Sequence, residues 1–168
     1  MVYDAHVHLR LEGVQLASTD GDGRITLFSG AKTNNSQIVA DPGGVIDITG
    51  VVITQGPAGE ILADGGTVEF VSNQTVNGGT IRAVNGGRLV KTAGGNLSIG
   101  GDLTLASDFE LEGAAGMQIN AATLTNEATV RINSNGTAGN AVIQFNGNTV
   151  VVGAGRMLLE GGGDNSQL

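Results

Sequence analysis

The sequence predicts an all-β fold: a right-handed parallel β-helix, or β-solenoid, of about eight coils of ~21 residues with three short strands per coil. Three observations lead there. First, an apolar-x-apolar pair returns at Ile25 and Leu27, Ile46 and Ile48, Val68 and Phe70, Phe109 and Leu111, Val130 and Ile132, Val150 and Val152. With Leu89 included, the starting positions are 25, 46, 68, 89, 109, 130 and 150, and so regular a return marks a stacked repeat. Second, glycine supplies 29 of 168 residues, more than twice the usual share of about 7 %, so the chain turns often. Third, no window carries a sustained i, i+3, i+4, i+7 stripe, which leaves no amphipathic helix to build with.

Each coil opens on the strand that carries the apolar pair, and its residues alternate in and out as TVEFV at 67–71 and FELEG at 109–113 do. The pairs Gly43-Gly44, Gly65-Gly66 and Gly86-Gly87 stand just before this strand, where a corner falls. A second strand follows about eight residues on, at Ile53, Val76, Leu97 and Met117. A third comes about fourteen residues after the first, at Ile38, Ile61, Leu103, Leu124 and Ile143. Asn73, Asn85, Asn96 and Asn135 fall at corners, where asparagine fills turn positions and forms ladders between coils. An earlier coil at Ala5 and Val7 brings the stack to roughly 38 Å at the inter-strand spacing of about 4.8 Å. An antiparallel sandwich also has short strands and frequent turns, but nothing obliges it to repeat its whole pattern at this period. Left-handed hexapeptide coils run at about 18 residues, shorter than here, and right-handed winding agrees with the general preference of parallel crossovers.

Aromatic residues make up only 3 % of the chain, so Val, Ile, Leu and Ala must fill the core in thin layers. The chain reads as one solenoid domain over 1–168, with 161–168 as a flexible tail. Neither end carries an evident polar cap, which suggests a unit that self-associates end to end or a segment of a longer solenoid. The formal charge of −8 and the lack of a basic patch disfavour nucleic acid and anionic membranes as partners. MVYDAHVHLR at 1–10 is not a signal peptide, and no apolar run approaches the ~18 residues of a membrane helix, so membrane insertion is not expected. Without cysteine, neither disulfides nor thiolate metal sites contribute.

Short motifs suggest chemistry that the repeat does not support. DAHVHLR at 4–10 resembles the first metal-binding strand of the amidohydrolase family, which implies His6 and His8 as metal ligands. That family needs further histidines, and this chain has two in all. The row Asp4, His6, His8, Arg10 therefore reads as a solvent-facing edge, with zinc or nickel binding only adventitious. STDGDGRITLFS at 18–29 resembles part of an EF-hand loop and offers Asp20 and Asp22 as calcium ligands. Ser29 stands where the bidentate Glu belongs, so a turn is the preferred reading and any calcium would bind weakly.

Outward positions of the first strand stack as Thr26, Asp47, Glu69, Val90, Glu110, Arg131 and Val151. Asp47 and Glu69 on adjacent coils resemble the paired carboxylates of polysaccharide-cleaving β-helices, and Glu110 beside Arg131 reads as an exposed ion pair. Few basic residues and no Trp argue against catalysis, so no catalytic residue and no cofactor are assigned. The pairs Thr104 with Thr125 and Thr54 with Thr75 are too isolated for an ice-binding face.

The units GGVIDI at 43–48, GGTVEF at 65–70 and AGGNLSIGGDLTLAS at 93–107 resemble the repeats of bacterial surface adhesins of the filamentous-haemagglutinin and autotransporter-passenger type. That resemblance implies a non-catalytic structural or adhesive segment, extracellular or on the bacterial cell surface, with a surface protein or glycan as partner. The alternatives are a polysaccharide-binding or polysaccharide-cleaving β-helix and a cytoplasmic polymer resembling bactofilins, whose coil spacing is shorter.

Overall fold

A computed structural model describes residues 10–11, 15–18, 23–121, 123–136 and 139–160. Among them the strands run β1 (Arg10–Leu11), β2 (Gln15–Ser18), β3 (Arg24–Phe28), β4 (Ala31–Asn34), β5 (Gln37–Ala40), β6 (Val45–Thr49), β7 (Val52–Gln55), β8 (Glu60–Asp64) and β9 (Thr67–Val71). They continue as β10 (Gln74–Val84), β11 (Arg88–Lys91), β12 (Asn96–Leu105), β13 (Phe109–Leu111), β14 (Gly116–Ile119) and β15 (Thr123–Asn126). The last are β16 (Thr129–Ile132), β17 (Val142–Phe145), β18 (Val150–Val152) and β19 (Arg156–Leu159). All pairings among them are parallel, and the chain is a three-sided β-solenoid.

The first face stacks β3, β6, β9, β11, β13, β16 and β19. The second stacks β1, β4, β7, the first parts of β10 and β12, β14 and β17. The third stacks β2, β5, β8, the later parts of β10 and β12, β15 and β18. Each face thus carries seven rungs among the described residues, fewer than the eight coils expected from the period, and Ala5 and Val7 lie outside those residues. β10 and β12 turn the second corner without interruption, the former by a register shift between Asn77 and Gly79.

Alternation puts one side of every strand on a common axis. Ile46, Ile53 and Ile61 in one coil, and Phe70, Val76 and Ile81 in the next, have no solvent exposure. Full burial stabilises each such side chain by about 1.5–3 kcal/mol, so thin layers suffice when they are stacked closely. Phe70 and Phe109, two rungs apart, bring their ring centroids to 5.6 Å.

The corners explain the glycine pairs. Gly86 has φ +80°, which an L side chain adopts only with strain. Gly87 is needed for a different reason: a Cβ there would lie 2.0 Å from the Ala63 carbonyl oxygen of the preceding coil. One glycine turns the chain and the next lets two coils close on each other. The corner asparagines act as expected, since Asn73 Oδ1 accepts from the Asn96 amide at 2.8 Å and Asn85 Nδ2 donates to Asp64 at 2.6 Å.

Four expectations about register are corrected. Val150 and Val152 do not continue the first face: β18 pairs with β15 on the third, and Met157 takes the position opposite Val130. Ile143 pairs with Met117 on the second face rather than with the third ladder. The cause is a longer connection between β16 and β17, which lengthens this coil to 27 residues from Val130 to Met157. On the second face Val76 pairs with Ile99, while Leu97 and Met117 form a neighbouring ladder headed by Gln74, because each strand there holds two inward positions. Thr104 and Thr125 do align, joined by Thr80, but Thr54 faces Thr33 and Asn77 rather than Thr75.

Replacing Gly87 by Ala is expected to lower stability by about 2 kcal/mol, since the obstacle is backbone that cannot swing aside. Ala114 is exposed and sits at φ +61°. Ala114→Gly should gain roughly 0.5 kcal/mol, the relief of left-handed strain less the added chain entropy of glycine. Urea unfolding midpoints of the two variants check both signs.

Candidate functional site

Charge on the outer surface of the first face is arranged by register. Asp47 on β6 and Glu69 on β9 are direct neighbours, as the sequence spacing implies. Arg24 on β3 reaches both: its Nη1 lies 2.5 Å from Asp47 Oδ1 and 3.2 Å from Glu69 Oε2. The Asp47 hydrogen bond, and then its charge, raise the Arg24 pKa further above its ordinary value. Thr26 also donates to Asp47, at 3.4 Å. The two carboxylates thus share one cation.

Glu110 and Arg131 occupy neighbouring rungs, but the expected ion pair is replaced by another. Glu110 accepts from Arg88 Nε at 3.0 Å and from Arg88 Nη2 at 2.5 Å. Arg131 turns instead to Glu160 and lies 3.9 Å from Asp108. The reason is reach: Arg88 crosses one rung diagonally and grips a single carboxylate oxygen with two donors, a stronger contact than the directly opposed pair. Val90, between Glu69 and Glu110 in the same row, is fully buried although it points outward in register. In the seventh position of that row stands Leu158, opposite Arg131, in place of Val151.

A second cluster lies on the third face. Glu60 accepts from Arg82 at 2.7 Å and from Gln37 at 2.8 Å. Burial pushes its carboxyl up, and the hydrogen bonds from Arg82 and Gln37 outweigh that and hold it below the usual range.

Two groups escaped sequence reasoning. Lys91 occupies an inward ladder position between Phe70 and Leu111 with no exposure, and its Nζ donates to the carbonyls of Thr92 at 2.8 Å and Gly94 at 2.5 Å. Lys32 stands opposite Ile53 and donates to the Ser29 carbonyl at 2.5 Å. Corner carbonyls receive the ammonium in both coils. The signal was present at Leu89-x-Lys91, the one repeat whose second inward residue is not apolar. Burial pushes the Lys91 amine down to about 8, opposed by the charge of Glu112.

His6, His8, Asp20 and Asp22 lie outside the described residues. Among the described residues no group of three or more His, Cys, Asp or Glu is placed to hold a metal, and no helix is long and apolar enough to cross a membrane. No family model matches this chain, and no curated protein or solved structure matches it either.

Lys91 generates a prediction about pH. Its folded-state pKa of about 8 lies below the ordinary 10.5, so between these values the unfolded chain binds more protons than the folded one. Stability therefore rises with pH across that window, by about 3 kcal/mol at most. Lys91→Met is expected to be the more stable protein at pH 7 and to lose that advantage by pH 10.5, as denaturant midpoints across the range will show.

Proposed function

We propose that this chain is a non-catalytic structural segment that lengthens by stacking a second copy of itself onto its last described coil. One observation carries the reading. Phe145, Val151 and Leu159 sit in register on Ile119, Leu124 and Ile132, yet they are 41 %, 45 % and 43 % exposed while those partners are fully buried. These are core positions on whose outer side a further coil would fit. Among the described residues this last coil carries the outermost strand of all three faces, each a row of backbone donors and acceptors suited to a further parallel strand. A coil of the same three-sided section fits both requirements, and a second copy supplies one. Such contacts are head to tail, so they do not close and they generate fibres.

Placement at a bacterial surface, with adhesion as its use, rests on the resemblance of the GG-x-apolar-x-apolar repeats to surface adhesins. A cysteine-free solenoid suits passage through an outer-membrane pore. The carboxylates that a polysaccharide-cleaving enzyme would use are engaged by Arg24 and Arg88, which favours the non-catalytic reading.

Negative-stain microscopy and light scattering across a wide concentration range test the stacking. Rods longer than one chain are expected, and Val151→Asp should shorten them to single units while leaving the circular dichroism spectrum unchanged. A strictly monomeric wild type at every concentration sinks the proposal.

A further inference from the structure

The three faces differ in chemistry, and the second is the unusual one. In β4, β7, the first four residues of β10 and of β12, β14 and β17, the only charged residue is Lys32, and its side chain is buried. Charge on this strongly acidic chain is displaced to the other two faces, where Asp47, Glu69, Glu110, Glu60 and Arg82 stand. The outer column of the second face reads Val52, Thr75, Ser98, Gln118 and Gln144 on successive rungs.

Along this column runs an open groove of about 420 Å³ lined by Val52, Asn73, Thr75, Asn96, Ser98 and Gln118. It crosses four rungs, which at the usual strand spacing is about 14 Å. Its polar groups are partly ordered by the protein. Asn73 Oδ1 accepts from the Asn96 backbone, and Gln118 Oε1 accepts from the Ser98 hydroxyl at 3.4 Å. Asn96 lies against Gly116, where any Cβ would come within 1.9 Å of its side-chain oxygen. With their oxygens engaged, Asn73 and Gln118 are left with amide N–H donors that make no bond to other described residues, as does the Thr75 hydroxyl.

We propose that this groove binds a neutral, hydroxyl-rich polysaccharide. A row of amide and hydroxyl groups that donate and accept matches a ligand whose hydroxyls do the same. An anionic chain finds no cation in the lining and meets a protein of net charge −8. An apolar partner would desolvate amides without replacing their hydrogen bonds. A peptide strand would need a free sheet edge, whereas the backbone here is paired on both sides from β7 to β14. No aromatic ring lines the groove, so each sugar contributes little and affinity comes from several rungs engaged at once.

Affinity electrophoresis of the whole chain tests this, in native gels cast with a soluble β-glucan, an α-glucan, a galactomannan or polygalacturonate. Retardation by at least one neutral polymer is expected. Ser98→Glu and Gln118→Leu should each weaken it at least tenfold, and Thr104→Glu on the third face should leave it unchanged. Thermal melts by circular dichroism establish that the variants fold, and Gln118→Leu decides the matter if the buried edge of Ser98 rejects a charge. Mobility unaffected by every neutral polymer, retardation by polygalacturonate alone, or retardation that survives both groove variants overturns the proposal. Lateral dimers that Ser98→Glu dissolves, with no effect of any glycan, overturn it too and assign the face to a second copy. End-to-end stacking uses different residues, so either idea can fail without the other.

Discussion

Every feature of this chain depends on one constraint: the backbone of each coil must land on the coil before it, parallel and in fixed register. A strand paired on both sides leaves no backbone group unsatisfied, but it also holds adjacent coils at one strand spacing along three faces. At that distance the apolar layers of the interior are aliphatic with an occasional phenylalanine, and the corners favour residues whose Cβ does not meet the carbonyl beneath. Gly87 over Ala63 is that constraint at its tightest. The low aromatic content and the abundant glycine are two consequences of the same closeness.

That constraint also decides what the sequence shows. Positions 25, 46, 68, 89, 109 and 130 are legible because each must sit on the last, and the structure pairs all of them on the first face. A connection is freer, and the one from β16 to β17 lengthens without disturbing the strands it joins, so counting residues misplaced Ile143 and Val150 by one face each. The second face was legible as a face and not as a register: Leu97 and Ile99 are both inward and both apolar, and nothing local says which of them meets Val76. Among the charged residues, adjacency of Asp47 and Glu69 followed from the period, whereas the grip of Arg24 on both depends on side-chain reach. Arg88 choosing Glu110 was hidden for the same reason.

The division of the surface follows from the stacking as well. Like charges on successive rungs are one strand spacing apart and repel, so acidic residues in a ladder need cations among them. The first face meets this need with Arg24, Arg88 and Arg131, each reaching at least one acid of its own or a neighbouring rung. The third does so with Arg82 on Glu60. Among the described residues the second avoids the problem by carrying no outward charge in its strands from β4 onward, and the surface that results offers an uncharged ligand no ion pair to desolvate.

Repetition brings a hazard that the polar interior answers. If every coil were the same aliphatic triangle, a coil could pair with the next but one at little loss, because one isoleucine ladder resembles another. Buried polar groups make the coils unlike. Asn34, with no exposure, donates to Gln55 at 3.2 Å and to the Glu60 carbonyl at 3.0 Å, and Gln55 donates to the Gly78 carbonyl at 2.8 Å. Skipping a coil would set Asn34 against the glycines at 78 and 79, which lack the side-chain oxygen that Gln55 offers, and the lost hydrogen bond would cost about 1 kcal/mol. Lys91 carries the same logic further, since a charged amine in an apolar ladder is tolerable only where Thr92 and Gly94 turn their carbonyls inward. These residues weaken the stack and, in doing so, restrict it to one alignment.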